Sequence, residues 1–204
     1  MILYGRLLSP FARRVAVQAA LQEHVIERRD ILVQGSDFDK LRQMNPLGRV
    51  PVLILDDGTE LIDSAAICDW LDETAPNGRR LMPIAGNPRR ETAQRQAIAN
   101  GVAEKAVALV YERNRRPEEF HWMDWQQRLV TQIQGGLSTL EQMVPSTGWL
   151  GGDEMDISDL STTIARDFIQ ITNPWVLSDG YPKLTEFAER ANQVPVIGQT
   201  RPDG

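Results

Sequence analysis

Two serines beside predicted helix starts are the residues best placed to do chemistry in this 204-residue chain. Ser9 is followed by Pro10, and Ser64 follows Asp63. Serine before a first-turn proline is a strong helix-start signal, because the hydroxyl can accept from an unpaired backbone N–H and proline has no N–H to lose. The positive end of a helix also favours an anion, so such a hydroxyl could donate to a negatively charged group. Taken alone, each dipeptide is more often a structural cap.

The segments around these serines predict a small α+β domain that would position both of them. The predicted elements are a strand over 2–4, a helix over 10–22, a strand over 25–32, a short helix through Met44, strands over 52–55 and 60–62 joined by a turn at Asp57-Gly58, and a helix capped by Ser64. This β-α-β-α-β-β-α order predicts a mixed four-stranded sheet with helices packed on it.

The remainder of the chain predicts a second, all-α domain. Residues 76–90 carry three prolines and two glycines, which is typical of a linker. We therefore expect domains over 1–75 and 88–204, joined by a linker over 76–87. Helical spacing of apolar residues continues from Trp122 to Val144. Asp156 and Asp159 predict a capping box, with Met155 and Leu160 as its hydrophobic staple.

Composition excludes several classes of protein. The net charge of −6 argues against a nucleic-acid-binding surface, and the arginine pairs, including Arg13-Arg14, are short, scattered and mostly expected to be solvated. A single cysteine excludes an internal disulfide, and with only two distant histidines no metal site is expected. No signal peptide or membrane-spanning segment is evident, so a cytoplasmic location is expected.

Four sequence pieces, in this order, resemble the cytosolic glutathione transferase family: SPFARR at 9–14, NPLGRVPVL at 45–53, DSAAI at 63–67 and DISDL at 156–160. The resemblance covers essentially the whole chain and is closest to bacterial members with serine at the activating position. It implies a thioredoxin-like N-terminal domain followed by an all-α domain. Redox proteins of the thioredoxin type begin the first helix with Cys-x-x-Cys, where this chain has Ser9-Pro10-Phe11-Ala12.

The resemblance implies a glutathione transferase that ionises the glutathione thiol through Ser9 for attack on an electrophilic small molecule. A free thiol has a pKa near 8.5 and is mostly protonated at neutral pH. A hydroxyl donor at the positive end of a helix lowers the pKa of such a thiol. Tyr4 is the rival activator, although packing within the sheet is its more expected role.

The same resemblance implies how glutathione, as co-substrate, is bound. Val50-Pro51 would form a cis-proline turn whose Val50 backbone pairs with the cysteinyl group of glutathione. Asp63 would pair with the γ-glutamyl ammonium, and Ser64 would bind the γ-glutamyl carboxylate. Arg49 would contact the glycyl carboxylate, with plain solvation an equal alternative.

The resemblance also implies another glutathione-binding residue, a pocket for the electrophilic substrate, and the partners of the protein. Phe11 is the further glutathione-binding candidate. Tyr111, Arg115 and Trp122 are candidates for the wall of the electrophile pocket, with packing in a helix core the favoured role of Trp122. A homodimer is expected, with no metal, no nucleic acid and no membrane among its partners. Cys68 is expected to be a buried, inert thiol.

Two other classes of function stay open at this point. The same fold serves as a non-catalytic binding or interaction protein, in which glutathione is lost or idle. A glutathione-dependent lyase, dehalogenase, isomerase or peroxidase would keep the ligand and change the reaction.

Overall fold

The computed structural model describes residues 1–178 and 180–202, which divide into two compact units. The first unit comprises Met1–Met82 and Pro195–Pro202, and the second comprises Pro83–Val194. The boundary between the two units, after Met82, lies within the linker expected over 76–87. Pro195–Pro202, expected in the helical domain, is part of the first unit. Residues 179, 203 and 204 of the expected second domain lie outside the described residues.

The first unit is built on the predicted mixed four-stranded sheet. Its strands are β1 Ile2–Tyr4, β2 Glu27–Arg29, β3 Val52–Ile54 and β4 Glu60–Ile62, in the order β2-β1-β3-β4. The β1 and β2 strands run parallel, and the other neighbouring pairs run antiparallel. Only the charged middle of the predicted strand over 25–32 pairs, because β2 is a short exposed edge strand and Ile31 leaves it to pack into the core.

The helices divide cleanly between the two units. Those of the first unit are α1 Pro10–Leu21, α2 Gly35–Met44, α3 Ser64–Glu73 and the single-turn α9 Pro195–Gly198. Those of the second are α4 Gly86–Asn114, α5 Met123–Met143, α6 Ile157–Thr172, α7 Pro174–Leu177 and α8 Pro182–Asn192, with a 3₁₀ turn at Glu118–Phe120. In the described part of the chain, none of these helices is both long enough and apolar enough to cross a membrane.

A buried carboxylate that the sequence analysis did not single out ties the helices of the first unit together. Asp72 of α3 accepts hydrogen bonds from the side-chain amides of Gln18 of α1 and of Gln22, which directly follows α1, at 3.1 and 2.6 Å. The same carboxylate accepts the backbone N–H groups of Leu81 and Met82, each at 2.8 Å. A buried charge is stable only when it is so bonded, and here it fixes α1 and α3 as one support.

The second unit is helical, as predicted, and is organised around α6. This helix is buried from Ile157 to Ile169 and packs against α4 and α8. Asp156 caps it by accepting the N–H of Asp159 at 3.3 Å, and Asp159 accepts the N–H of Asp156 at 2.8 Å, which confirms the predicted capping box. Its staple residues Met155 and Leu160 are both buried.

The predicted core role of Trp122 is wrong. The α5 helix begins one residue later, at Met123, and the Trp122 side chain is 61% exposed. Trp125 is 36% exposed and stacks on Trp122, with ring centroids 6.4 Å apart. The buried apolar stripe of α5 starts only at Leu129, because the first turn of the helix extends beyond the packed part of the unit.

Candidate functional site

Ser9 stands at the N-terminus of α1 with its hydroxyl only partly engaged. Its backbone is extended, and its oxygen accepts the N–H of Ala12 at 3.4 Å, which is longer than the usual 2.7–3.2 Å of such bonds. Within residues 1–178 and 180–202, no acceptor takes the Ser9 hydroxyl proton. The side chain is half-buried, and Phe11, the second residue of α1, is half-buried too. A serine so placed can donate to an anion at the positive end of the helix.

Tyr4, the rival activator, is engaged elsewhere. It lies at the end of β1, where Arg29 of the edge strand donates to its hydroxyl at 3.2 Å. Its ring packs against the core cluster formed by Ile31, Leu41 and Val52. The contact of the ring with this cluster supports the packing role of Tyr4.

Gly5 marks the point where the first turn of α1 meets the Val50-Pro51 turn. A Cβ at Gly5 would lie 2.7 Å from the Ala12 Cβ and 3.4 Å from the Val50 Cβ, and the φ of Gly5 is +147°. Only glycine combines this backbone conformation with so close an approach. The sequence analysis missed Gly5, and a glycine directly after the first strand was its only signal.

The Val50–Pro51 peptide bond is cis, as the resemblance implies. The turn before it is held by buried Asn45, whose side-chain amide donates to the carbonyl of Arg49 at 2.8 Å and whose side-chain oxygen accepts the N–H of Leu47 at 3.0 Å. No described residue pairs with the N–H or C=O of Val50. Both groups can therefore accept a strand-like ligand. The Arg49 side chain is exposed.

Asp63, and not Ser64, caps α3. The Asp63 carboxylate accepts the N–H of Ala65 at 2.8 Å, and its backbone has φ +67°, an unusual value for a residue with a side chain. Such backbone strain is concentrated at functional sites. Ser64 becomes the first helical residue and is buried, 4% exposed. The predicted capping role of Ser64 is corrected, because the longer Asp63 side chain already satisfies that end of the helix.

The expectation that the Arg13-Arg14 pair is solvated is wrong. Both residues of α1 are buried, 2% and 3% exposed. Arg13 donates to the carbonyl of Ile197 at 3.0 Å and so holds the C-terminal segment within the first unit. Arg14 donates to the Ser64 hydroxyl oxygen at 2.8 Å. Adjacent helix positions lie about 100° apart, so two neighbouring residues can both be buried only when different neighbours cover each side of the helix.

The three candidates for the electrophile pocket lie near one another in sequence in the second unit. Tyr111 and Arg115 are both exposed, and the guanidinium of Arg115 lies over the Tyr111 ring, 4.2 Å from its centroid. The N–H of Trp122 donates to the Glu112 carboxylate at 3.1 Å, which joins the start of α5 to the end of α4. Exposed aromatic rings and a guanidinium are groups that can bind a flat, polarisable molecule.

Cys68 is buried, as expected. It lies in α3, and burial raises the pKa of its thiol to about 11. In the described part of the chain, no three His, Cys, Asp or Glu side chains come together as a metal site would require.

Comparison with known proteins agrees with this geometry. The sequence model of the family described as "Glutathione S-transferase, N-terminal domain" matches residues 3–80. A maleylacetoacetate isomerase from Pseudomonas aeruginosa is 28% identical over 164 residues, which cover 78% of this chain and 74% of that protein.

Solved structures match nearly the full chain. A glutathione S-transferase from Methylobacillus flagellatus, solved with glutathione bound, is 26% identical with a TM-score of 0.90, and the match covers 99% of each chain. A glutathione transferase family member from Pseudomonas fluorescens, also with bound glutathione, is 27% identical with a TM-score of 0.90, covering 100% of this chain and 99% of the other. Residues 3–80 thus carry a glutathione S-transferase N-terminal domain, and the chain as a whole is similar in sequence and fold to glutathione S-transferases.

Proposed function

We propose that this protein is a glutathione transferase in which Ser9 stabilises the thiolate of bound glutathione for attack on an electrophilic small molecule. The observation that carries the proposal is the state of the Ser9 hydroxyl. Its oxygen accepts from the first turn of α1, while its proton has no acceptor among the described residues. An incoming sulfur is the acceptor that would complete the arrangement.

The ionisation of the thiol follows from two effects that act at the same place. The hydroxyl donates to the charged sulfur, and the positive end of α1 favours the negative charge. A hydrogen bond to a charged group contributes about 1.5–3 kcal/mol, which corresponds to roughly a ten- to hundredfold rise in the ratio of thiolate to thiol.

The binding of glutathione is assigned to groups spread over three elements. The backbone of Val50 pairs with the cysteinyl part, Asp63 with the γ-glutamyl ammonium, and Ser64 with the γ-glutamyl carboxylate. Phe11 and Arg49 are further contacts. Support comes from the free N–H and C=O of Val50, from the strained backbone of Asp63 and from the glutathione bound in the related bacterial structures.

The electrophile is proposed to contact Tyr111, Arg115 and Trp122, whose exposed rings and guanidinium suit an aromatic or conjugated molecule. The similarity to glutathione S-transferases also favours a homodimer. Light scattering tests this, with a mass twice the 23.0 kDa of the chain expected and a mass of one chain contradicting it.

Turnover of glutathione with chlorodinitrobenzene tests the function. Ser9→Gly removes the hydroxyl and costs the helix start only a few tenths of a kcal/mol, whereas Ser9→Thr keeps both hydroxyl and cap. We expect Ser9→Gly to lower kcat by about tenfold or more and Ser9→Thr to retain most of it. A Ser9→Gly variant with wild-type kcat would rule out Ser9 as the activating residue.

A second candidate reaction is a glutathione-dependent isomerisation, which the maleylacetoacetate isomerase relatives favour. The thiolate would add to a conjugated cis double bond, the new single bond would rotate, and elimination would release the trans product and the thiolate. The two functions differ in their stoichiometry, because a transferase consumes one glutathione per product and an isomerase consumes none. Measuring glutathione loss beside conversion of a conjugated cis-diketo acid separates them.

A further inference from the structure

The contact between Arg14 and Ser64 links the helix of the activating serine to the helix of the γ-glutamyl anchor. Arg14 belongs to the second turn of α1, and Ser64 is the first residue of α3. The guanidinium Nη2 donates to the Ser64 Oγ at 2.8 Å, and both side chains are more than nine-tenths buried. The Arg14 guanidinium, which was expected to be solvated, therefore connects the two parts of the proposed site.

The direction of this hydrogen bond decides where the Ser64 proton points. A serine hydroxyl has one proton to donate and two acceptor positions, and a guanidinium can only donate. Arg14 therefore occupies an acceptor position of Ser64 and leaves its proton directed to another group. Within residues 1–178 and 180–202, neither that proton nor the backbone N–H of Ser64 has an acceptor. The two donors are adjacent and stand at the positive end of α3.

We propose that Arg14 is a positioning residue that orients the Ser64 hydroxyl for the α-carboxylate of the γ-glutamyl group and supplies positive charge behind it. This inference rests on the proposed function, because it takes glutathione as the ligand. The charge acts in a region shielded from water, where its attraction for a carboxylate is stronger than at the surface. The effect of Arg14 is therefore specific to ligands that carry the α-carboxylate.

The test compares glutathione with an analogue in which a 4-aminobutanoyl group replaces the γ-glutamyl group. This analogue keeps the ammonium and the thiol and lacks only the α-carboxylate. Calorimetric dissociation constants are measured for both ligands with the wild type and with Arg14→Gln. We expect Arg14→Gln to weaken glutathione binding by about tenfold or more, which is the size of a hydrogen bond to a charged group. Binding of the analogue should stay at the wild-type value.

Arg13→Gln is the matched control, because Arg13 is an equally buried arginine of the same helix that contacts Ile197 instead of Ser64. It should change both dissociation constants by the same factor. In a Ser64→Ala background, Arg14→Gln should weaken glutathione binding by a smaller factor than in the wild type, because the hydroxyl that Arg14 orients is gone and only its charge still acts. An undiminished effect in that background would overturn the assigned positioning role.

The outcomes separate this inference from the function on which it rests. A wild type that fails to bind glutathione overturns both. A wild type that prefers glutathione to the analogue, with an Arg14→Gln variant that shows the same preference, overturns only the role of Arg14. Should Arg14→Gln not fold, Arg14→Lys decides, because it keeps the charge and loses the planar donor fork. A reduced preference for glutathione supports the inference, and an unchanged preference overturns it.

Discussion

At the scale of single residues, the chemistry depends on which hydroxyl or thiol has a proton to donate and lies at the positive end of a helix. Ser9 has both, since its oxygen is weakly bonded to Ala12 and its side chain stands at a helix N-terminus. Cys68 is held as a neutral thiol, because it is buried within α3 and burial raises its pKa. In the proposed mechanism the protein thus keeps its own sulfur inert and presents the Ser9 oxygen to the sulfur of glutathione.

The inert state of Cys68 makes a direct prediction. Burial raises the pKa of this thiol to about 11, so almost none of it is thiolate at neutral pH. The native protein should not react with a thiol–disulfide exchange reagent at neutral pH, and one thiol per chain should react after denaturation. Glutathione in the same buffer is the control for the reagent. Rapid reaction of the native protein would show that the thiol is accessible.

At the scale of elements, the site depends on how closely three chain segments approach one another. The first turn of α1 and the Val50-Pro51 turn meet at Gly5, and the start of α3 is joined to α1 by Arg14. Asp72 fixes the far ends of α1 and α3 through Gln18 and Gln22. The binding groups are thus placed by contacts between elements that are distant in sequence.

Gly5→Ala tests this close approach. The added Cβ would lie 2.7 Å from that of Ala12, and the φ of +147° is unfavourable for alanine. We expect a loss of about 1–3 kcal/mol in the free energy of unfolding, typical of overpacking, and weaker glutathione binding because the two turns must move apart. Denaturant unfolding and calorimetry measure the two effects. Gly101→Ala, in the interior of α4 where a Cβ would meet no neighbouring atom, is the control: it should leave glutathione binding unchanged and raise the free energy of unfolding by about 0.5–1 kcal/mol, the usual gain of alanine over glycine in a helix.

The capping box of α6 shows an element held by a carboxyl group whose pKa is raised. Asp159 accepts the N–H groups of Leu150, Asp156 and Gly151 at 2.6, 2.8 and 3.3 Å. Burial, together with the charge of Asp156, raises the pKa of Asp159 from 3.8 to about 6, although the hydrogen bonds from these N–H groups lower it. Loss of its hydrogen bonds in Asp159→Ala should cost about 1 kcal/mol or more.

The raised pKa of Asp159 predicts a pH dependence of stability. The folded state binds the Asp159 proton more tightly than the unfolded state does. The contribution of this proton to the free energy of unfolding is therefore fully present below about pH 4 and is lost as the pH rises through about 6. Asp159→Asn cannot titrate at this position. The melting temperature of the wild type, relative to Asp159→Asn, should therefore fall between pH 4 and 6 and level off above. A relative melting temperature that rises over this range would contradict the assignment.

At the scale of the whole molecule, the sequence predicts the elements well and their contacts poorly. The sheet, α1, α3 and the capping box of α6 follow from local signals such as Ser-Pro, Asp-Gly and Asp-x-x-Asp. The buried positions of Arg13 and Arg14 do not, because arginine is usually exposed and their partners lie 184 and 50 residues away, respectively. The exposure of Trp122 was also missed, since helical spacing alone does not show where a packed core ends.

The same contrast applies to the site. Asp63, Ser64, Val50 and Pro51 could be named from short motifs, because their roles depend on turns and helix ends. Gly5 and Asp72 support the site through tertiary contacts that local sequence does not show, and the only signal for Gly5 was a glycine directly after the first strand. Asn45 lies within the NPLGRVPVL piece, but its hydrogen bonds to the turn were not predicted.

The most direct test of the central claim is a titration of glutathione at neutral pH, in which bound ligand and thiolate ultraviolet absorbance are followed together for the wild type and Ser9→Gly. We predict that both proteins bind glutathione and that the thiolate signal of the wild type falls by about tenfold or more in Ser9→Gly. Glutathione that binds the wild type as the neutral thiol, or an equal thiolate signal in both proteins, would contradict the claim that Ser9 ionises the thiol.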